Sequence, residues 1–325
     1  MKRSDLPALF PTCLEKLELP QELSPGRGKV RDVVAHGSDL FITTTDRISA
    51  FDQVLTTIPC KGEVLNTLSL FWFDQTADII ANHVRERLSA RTVRAARCEV
   101  VPIEVVVRGY LTGSAWRDYQ QTSSVSGIRL PAGMRASQRF ETPLLTPSTK
   151  EEAGHHDRPI SREEILSSGR VSAGLWDQIE EAAQRLFRRG TEEAARSGLI
   201  LVDTKYELGL LGGKLTLVDE VHTPDSSRYW YTDGYEQRFA DGQPQRELDK
   251  EYLRQWLLAR GWKGDGAPPQ IPQDVRVETA WKYITAWQTI TGKDFSPAGL
   301  SADQESALVV RAVHSQSARG SARPA

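Results

Sequence analysis

Sulfur is scarce in this chain: three cysteines and two methionines among 325 residues. Cys13, Cys60 and Cys98 are scattered, odd in number and form no CxxC pair. That excludes a disulfide framework and a structural zinc site as organising features; reduced thiols in a cytoplasm are the expectation. An excess of one charge is also missing. The net charge is -2, so no global field draws the protein to nucleic acid or to a membrane surface, and neither is expected as a partner. No apolar run approaches the length that spans a bilayer. The short apolar segment behind Lys2 and Arg3 is broken by Pro7 and Pro11, unlike a signal peptide. There is no internal repeat, and Gly26-x-Gly28-Lys29 is too short for a P-loop or a dinucleotide fingerprint.

What remains is ordinary globular composition, 39% apolar and 26% charged, in a chain long enough for two domains. Its centre of gravity is Leu199 to Arg228. Two apolar runs, Leu199 to Val202 and Leu215 to Val218, flank Gly-Leu-Leu-Gly-Gly and read as a β-hairpin. The outer ends hold Asp203, Lys205, Glu207, Asp219, Glu220, Asp225 and Arg228. Pairing would bring Asp203 to Glu207 near Asp219 and Glu220. Carboxylates so gathered need a cation. Mg²⁺ on a nucleotide phosphate is one candidate; surface ion pairs with Lys205 and Arg228 are the other.

Upstream, Gly28 to Val34 and Asp39 to Thr45 read as a strand pair, with Lys29 beside glycine at a strand mouth suited to a phosphate. Asn66 to Val84 reads as a helix. Glu99 to Val107 reads as a strand ending at Arg108. Gly113-Ser114 then opens a helix, so Arg108, Ser114 and the helix N-terminus suit an anion; a structural N-cap is the simpler alternative. Residues 120 to 174 read as loop-rich and polar. Trp176 to Arg196, Asp249 to Arg260 and Gln273 to Thr291 read as helices. From residue 313 the composition reads as a disordered tail, 313–325.

Taken together, VPIEVVVRGYLTGS (Val101 to Ser114) and LVDTKYELG (Leu201 to Gly209) resemble the two signatures of the SAICAR synthetase family, the phosphoribosylaminoimidazole-succinocarboxamide synthases. GKVRD (Gly28 to Asp32), TDRISAFD (Thr45 to Asp52), TPSTKEEAGHHD (Thr146 to Asp157) and DEVHTPDSSR (Asp219 to Arg228) fit the same family in the same order. Leu208 and Cys60 depart slightly from its usual residues.

The resemblance implies an ATP-dependent ligase that joins L-aspartate to the carboxylate of carboxyaminoimidazole ribonucleotide (CAIR) through an acyl phosphate, with Mg²⁺. It implies an α+β fold, with an antiparallel β-rich N-terminal lobe (1–115), a larger α+β part (116–312) and the ATP cleft between them. Gly28, Lys29, Arg31 and Glu104 would serve ATP; Glu207 and Asp219 would hold the metal; Lys205 and Asp203 would be catalytic. Arg108, Ser114, Arg228, Asp225, Asp46, Ser49, Lys61, Lys150 and Asp157 would contact the substrates. A monomer or small homo-oligomer is expected. Two rivals share parts of the pattern: a kinase, for which no HRD-type loop is present, and a nucleotide-binding regulatory module without turnover.

Overall fold

Short antiparallel strands and the helices that cover them account for most of the chain. The computed structural model describes residues 1–150, 158–248 and 250–320. In chain order the strands are β1 (Gly26–Arg27), β2 (Arg31–His36), β3 (Asp39–Thr44), β4 (Arg47–Ala50), β5 (Gln53–Thr57), β6 (Val84–Arg87), β7 (Thr92–Ala96), β8 (Glu99–Val100), β9 (Ile103–Tyr110), β10 (Ser124–Val125), β11 (Ile128–Arg129), β12 (Arg139–Thr149), β13 (Leu199–Leu211), β14 (Lys214–Val218) and β15 (Ser227–Tyr231). The α-helices are α1 (Lys61–Gln75), α2 (Gly113–Thr122), α3 (Arg162–Ser167), α4 (Ala173–Arg196), α5 (Tyr235–Ala240), α6 (Glu251–Leu258), α7 (Gln273–Thr291) and α8 (Ala302–Gly320).

The chain forms two compact units. One contains the described residues of Met1–Leu70, His83–Arg97 and Lys250–Ala325; the other contains those of Phe71–Asn82 and Cys98–Asp249. This differs from the expected break near residue 115. The reason is pairing: β9 lies inside the second unit's sheet, between β12 and β13, so the second unit claims the chain from Cys98 onward. The C-terminal helices return to the first unit because their apolar faces complete its core.

The first unit is built on a five-stranded antiparallel sheet in the order β1-β2-β3-β7-β6, with β4 and β5 as a separate hairpin. Phe51 and Asp52 both adopt positive φ at that hairpin's turn, the sense that suits the twist of tight two-residue connections. Leu6, Ile48, Ile58, Val64 and Leu65 share a core with Leu253 and Leu257 of α6 and with Tyr283 and Ile284 of α7. Gly292 ends α7 in the left-handed conformation that glycine adopts without cost.

The stretch after residue 313 is not the disordered tail that composition suggests. Through residue 320 it continues α8, and Val309 and Val313 pack with Leu14, Leu17, Val34 and Phe41. Glu305 of α8 accepts hydrogen bonds of 2.5 Å from Ser89 and Thr92 hydroxyls. Polar composition hid one apolar stripe whose partners lie nearly three hundred residues away. Residues 321–325 lie outside the described residues.

The second unit carries a sheet in the order β12-β9-β13-β14, with β15 and β8 also pairing to β13. Two expectations are corrected here. Residues 139–149 form an eleven-residue strand and not loop. Pro143 and Pro147 concealed it, yet β12 is an outer strand, where a missing N–H is tolerated. The helix expected to Val84 stops at Gln75, and Val84 begins β6. The central hairpin exists, with Gly212 and Gly213 at positive φ in its turn, but β13 is one strand of thirteen residues. Asp203 therefore pairs with Arg228 of β15, and only Glu207 onward pairs with β14.

Val313→Asp tests the docking of α8. A fully buried valine is worth about 1.5–3 kcal/mol by burial alone, so the variant should lose at least about 2 kcal/mol in urea denaturation. A wild-type midpoint would mean that residues beyond 312 contribute nothing to the fold.

Candidate functional site

Side chains alternate across a strand, and β9 and β13 use this to separate core from chemistry. In β9, Ile103, Val105 and Val107 are fully buried, while Glu104, Val106 and Arg108 turn to the other face. In β13, Tyr206 and Leu208 enter the core, and Asp203, Lys205 and Glu207 alternate with them. The register sets Asp203 directly opposite Arg108 on one side and Arg228 on the other. Lys205 lies opposite Val106, one diagonal step from Glu104. Cross-strand and diagonal neighbours are within reach of long polar side chains.

Two arginines converge on one carboxylate. Asp203 Oδ2 accepts from Arg228 at 2.7 Å and from Arg108 at 3.3 Å. The Arg108 fork is held on its other edges, by Thr146 Oγ1 at 2.9 Å from Nε and by Ser114 Oγ at 3.4 Å. Burial lowers the Arg108 pKa from its ordinary value; Asp203 opposes the shift and Arg228 adds to it. Gly113 opens α2 with φ +58°, and a Cβ there would collide with the Arg228 guanidinium. Glycine is thus required twice, for its backbone and for the arginine lying against it.

Next along the sheet, Lys205 Nζ lies 2.8 Å from both Glu104 and Glu207, and Lys150 pairs with the other Glu207 oxygen. Burial alone would push the Lys205 pKa down, but Glu207 and Glu104 outweigh it and hold the ammonium above its ordinary range. Burial alone would raise Glu207; Lys205 and Lys150 instead hold it well below the usual carboxylate range. Four cations, Arg108, Arg228, Lys150 and Lys205, face three carboxylates, Glu104, Asp203 and Glu207.

Asp219 follows β14 at φ +66°, one residue past Val218, the partner of Glu207. Asp225 lies in a turn where its N–H bonds Thr223 Oγ1 at 3.2 Å. This segment rests on His222, which is fully buried. Its Nε2 lies 2.6 Å from the Tyr206 hydroxyl, its carbonyl accepts from Tyr229 at 2.7 Å, and its ring meets Trp72 edge-on at 4.8 Å. Burial drives its pKa down to about 3.

The other expected residues belong to the first unit. Gly28 and Lys29 are exposed in the turn before β2, where Lys29 pairs with Asp52. Arg31 opens β2, and Ser49 lies half-buried in β4. Asp46 and Lys61 are fully buried. Asp46 accepts from the Leu14 N–H at 2.7 Å, the Gly62 N–H at 2.9 Å and Arg91 at 2.7 Å. Lys61 lies over the Tyr283 ring at 5.7 Å. Asp46 thus braces the Gly62 turn from inside. Asp157 lies outside the described residues. Thr146 and Gly113 stood inside noted motifs without an assigned role; only the side-chain packing shows that one orients Arg108 and the other admits Arg228.

This ladder sits on a chain whose residues 25–269 match the profile of the SAICAR synthetase family. The chain belongs to the SAICAR synthetase family. Members of that family are ligases of purine biosynthesis, and the protein is an enzyme of that class. It is 45% identical over 281 residues to the phosphoribosylaminoimidazole-succinocarboxamide synthase of Bacteroides thetaiotaomicron, covering 85% of this chain and 90% of that protein. It is 44% identical over 294 residues to the synthase of Legionella pneumophila, covering 88% and 93%. Among solved structures it resembles the SAICAR synthase of Saccharomyces cerevisiae complexed with SAICAR, with a TM-score of 0.76 at 35% identity, over 87% of this chain and 100% of that one.

Two predictions arise from this geometry. Gly113→Ala should cost about 1–2 kcal/mol of stability, the scale of a left-handed non-glycine residue. By displacing Arg228 it should also weaken inorganic phosphate binding about ten-fold, the loss of one charged hydrogen bond. Calorimetry showing unchanged phosphate affinity would separate Arg228 from any anion site. The second concerns pH. His222 is neutral in the fold down to about 3 and charges near 6.5 when unfolded. Below 6.5 the unfolded state binds the extra proton, so this stability is full above 6.5 and is lost as pH falls toward 3, at most about 1.4 kcal/mol per pH unit. His222→Asn should flatten that slope relative to wild type in urea titrations at pH 7, 5 and 4; parallel slopes would refute the assignment.

Proposed function

We propose that the chain ligates L-aspartate to the carboxylate of CAIR, spending ATP and passing through an acyl phosphate. The observation that carries this is the ladder of Arg108, Asp203 and Arg228 beside Lys205 and Glu207, within a chain of this family. The yeast relative was solved with SAICAR, the product this reaction makes.

CAIR carries a phosphate and a carboxylate. The Arg108 and Arg228 forks, Ser114 and the first N–H groups of α2 suit one of these anions, because guanidinium pairs a phosphate or carboxylate through two parallel bonds. The CAIR carboxylate oxygen attacks the γ-phosphorus of ATP and ADP leaves; the aspartate amine then attacks the acyl carbon, phosphate leaves and the amine gives up a proton. Phosphoryl transfer depends mostly on positioning and charge neutralisation. Lys205, held protonated by Glu104 and Glu207, suits neutralisation and not proton abstraction. Asp203, shared by two arginines, suits alignment of the substrate grip more than chemistry of its own. Lys150 and Asp225 stand with this set, and Gly28, Lys29 and Arg31 are proposed for the nucleotide phosphates.

Mg²⁺ fits these residues in a limited way. Among the described residues no three acidic, histidine or cysteine side chains converge into a cage. Two carboxylates with substrate phosphates and water is the usual Mg²⁺ arrangement, and Glu207 and Asp219 would hold it. When bound, the ion would neutralise phosphate charge during transfer.

The test is an omission assay with purified enzyme. ADP release should require ATP, Mg²⁺ and CAIR, and SAICAR formation should require L-aspartate besides. Brisk ADP release onto a sugar or protein hydroxyl, with none in the presence of CAIR, would overturn the proposal in favour of a kinase.

A further inference from the structure

The turn that precedes β2 has its carbonyls gathered from within. Arg47 of β4 is buried, 7% exposed, and spends its guanidinium on main-chain oxygens. Nε donates to the Lys29 carbonyl at 3.2 Å, and one terminal nitrogen donates to the carbonyls of Gly28 at 2.9 Å and Arg31 at 3.1 Å. The other terminal nitrogen reaches the Glu15 carbonyl. The fourth carbonyl of the turn, Val30, takes the Thr45 N–H and hydroxyl, each at 2.9 Å. Asp32, wholly buried, closes the arrangement: one oxygen takes Arg47 at 2.8 Å and the other takes the Leu17 N–H at 2.8 Å.

All four carbonyls from Gly28 to Arg31 are therefore bound by Thr45 and Arg47. Among the described residues the N–H groups of Lys29 and Val30 have no acceptor, and Gly28 and Lys29 are exposed. A turn whose carbonyls are tied back by a buried cation is set to offer its amides to an anion, as in backbone nests. A mobile turn would first have to be ordered, at a cost on every binding event.

We propose that Arg47, with Thr45, is a positioning residue for nucleotide phosphate: it shapes the Gly28–Arg31 turn from beneath without touching the ligand. This rests on the nucleotide reading of Gly28 and Lys29 above. It also gives TDRISAFD a different use from substrate contact. Thr45 and Arg47 hold the phosphate turn, and Asp46 between them holds the Gly62 turn.

The test uses the full chain with Arg47→Lys and Thr45→Val. Lysine keeps a charge for Asp32 but cannot reach three carbonyls with a planar fork. Valine keeps the shape of Thr45 and its N–H bond while removing the hydroxyl bond. In Arg47→Lys the KM for ATP should rise about ten-fold or more, the scale of a small misplacement of a positioning group. In Thr45→Val it should rise about three-fold, the loss of one neutral hydrogen bond. The KM for CAIR should stay near wild type in both. A purely structural defect would lower active enzyme without this split. If Arg47→Lys does not fold, Thr45→Val decides by itself. An unchanged KM for ATP in a folded variant overturns the proposal. Isothermal calorimetry with ADP on wild type separates the two levels: no binding there removes the nucleotide reading itself, and the proposal with it, whereas normal wild-type binding with an unaffected Arg47→Lys removes only the positioning role.

Discussion

The carboxylate of Asp203, set between two guanidinium groups, is the constraint from which the second unit's chemistry follows. Arg108 and Arg228 reach it from the strands on either side of β13. Two partly buried cations aimed at one place repel, and because a guanidinium keeps its proton they would turn away from each other without a counter-ion. Asp203 makes their convergence tolerable in the free protein. Such pairs add little net stability, because desolvation offsets much of their attraction. What the arrangement supplies is order: a planar fork fixed on three edges before any ligand arrives, so that less rotamer freedom is lost on binding. The same alternation that turns Tyr206 and Leu208 into the core turns Asp203, Lys205 and Glu207 out of it. One strand therefore carries packing on one face and charge on the other.

Much of this was legible in the sequence, and the omissions have physical reasons. The six ordered motifs identify the family, and the motif residues around 203–207, 108 and 228 lie together on one sheet. Helix α7 runs over the stretch its periodicity indicates, with Gly292 at its end. β12 was missed because two prolines argue against a strand, and only sheet order shows it to be an outer one. α8 was missed because its helix carries a narrow apolar stripe in polar company, and Leu14, Leu17 and Phe41, which pack against it, are remote in sequence. The hairpin was read as bringing the whole stretch from Asp203 to Glu207 near Asp219 and Glu220, and only its Glu207 end pairs beside Asp219. A strand of thirteen residues instead shares its two ends among different neighbours, and no local pattern announces that exchange.

The least legible residues are those that act through others. Gly113, Thr146 and Arg47 bear no chemistry that a motif search would assign. Gly113 matters for the atom it lacks, Thr146 for one oxygen at a guanidinium edge, and Arg47 for carbonyls that any sequence would supply. Asp46 shows the converse. A charged residue in a strong motif looks like a ligand contact, yet its oxygens are taken up inside the first unit by two amides and Arg91. Burial, not residue type, separates the two cases.

Protonation states along β9 and β13 bear on what kind of catalyst such a sheet can be. Lys205 is kept charged by its two glutamates, and Glu207 is kept charged by its two lysines. Each holds the other away from the range where a side chain exchanges protons readily near neutrality. His222, which could do so, is instead buried against Tyr206 and Trp72 and held neutral. Groups fixed in this way serve as permanent charges. For the proposed acyl-phosphate formation that is the useful property, since the barrier lies in bringing two anions together. A preorganised row of opposite charge lowers that barrier without reorganising during the step. On the proposed reading, the sheet's contribution is therefore electrostatic placement, and its rigidity is part of the chemistry.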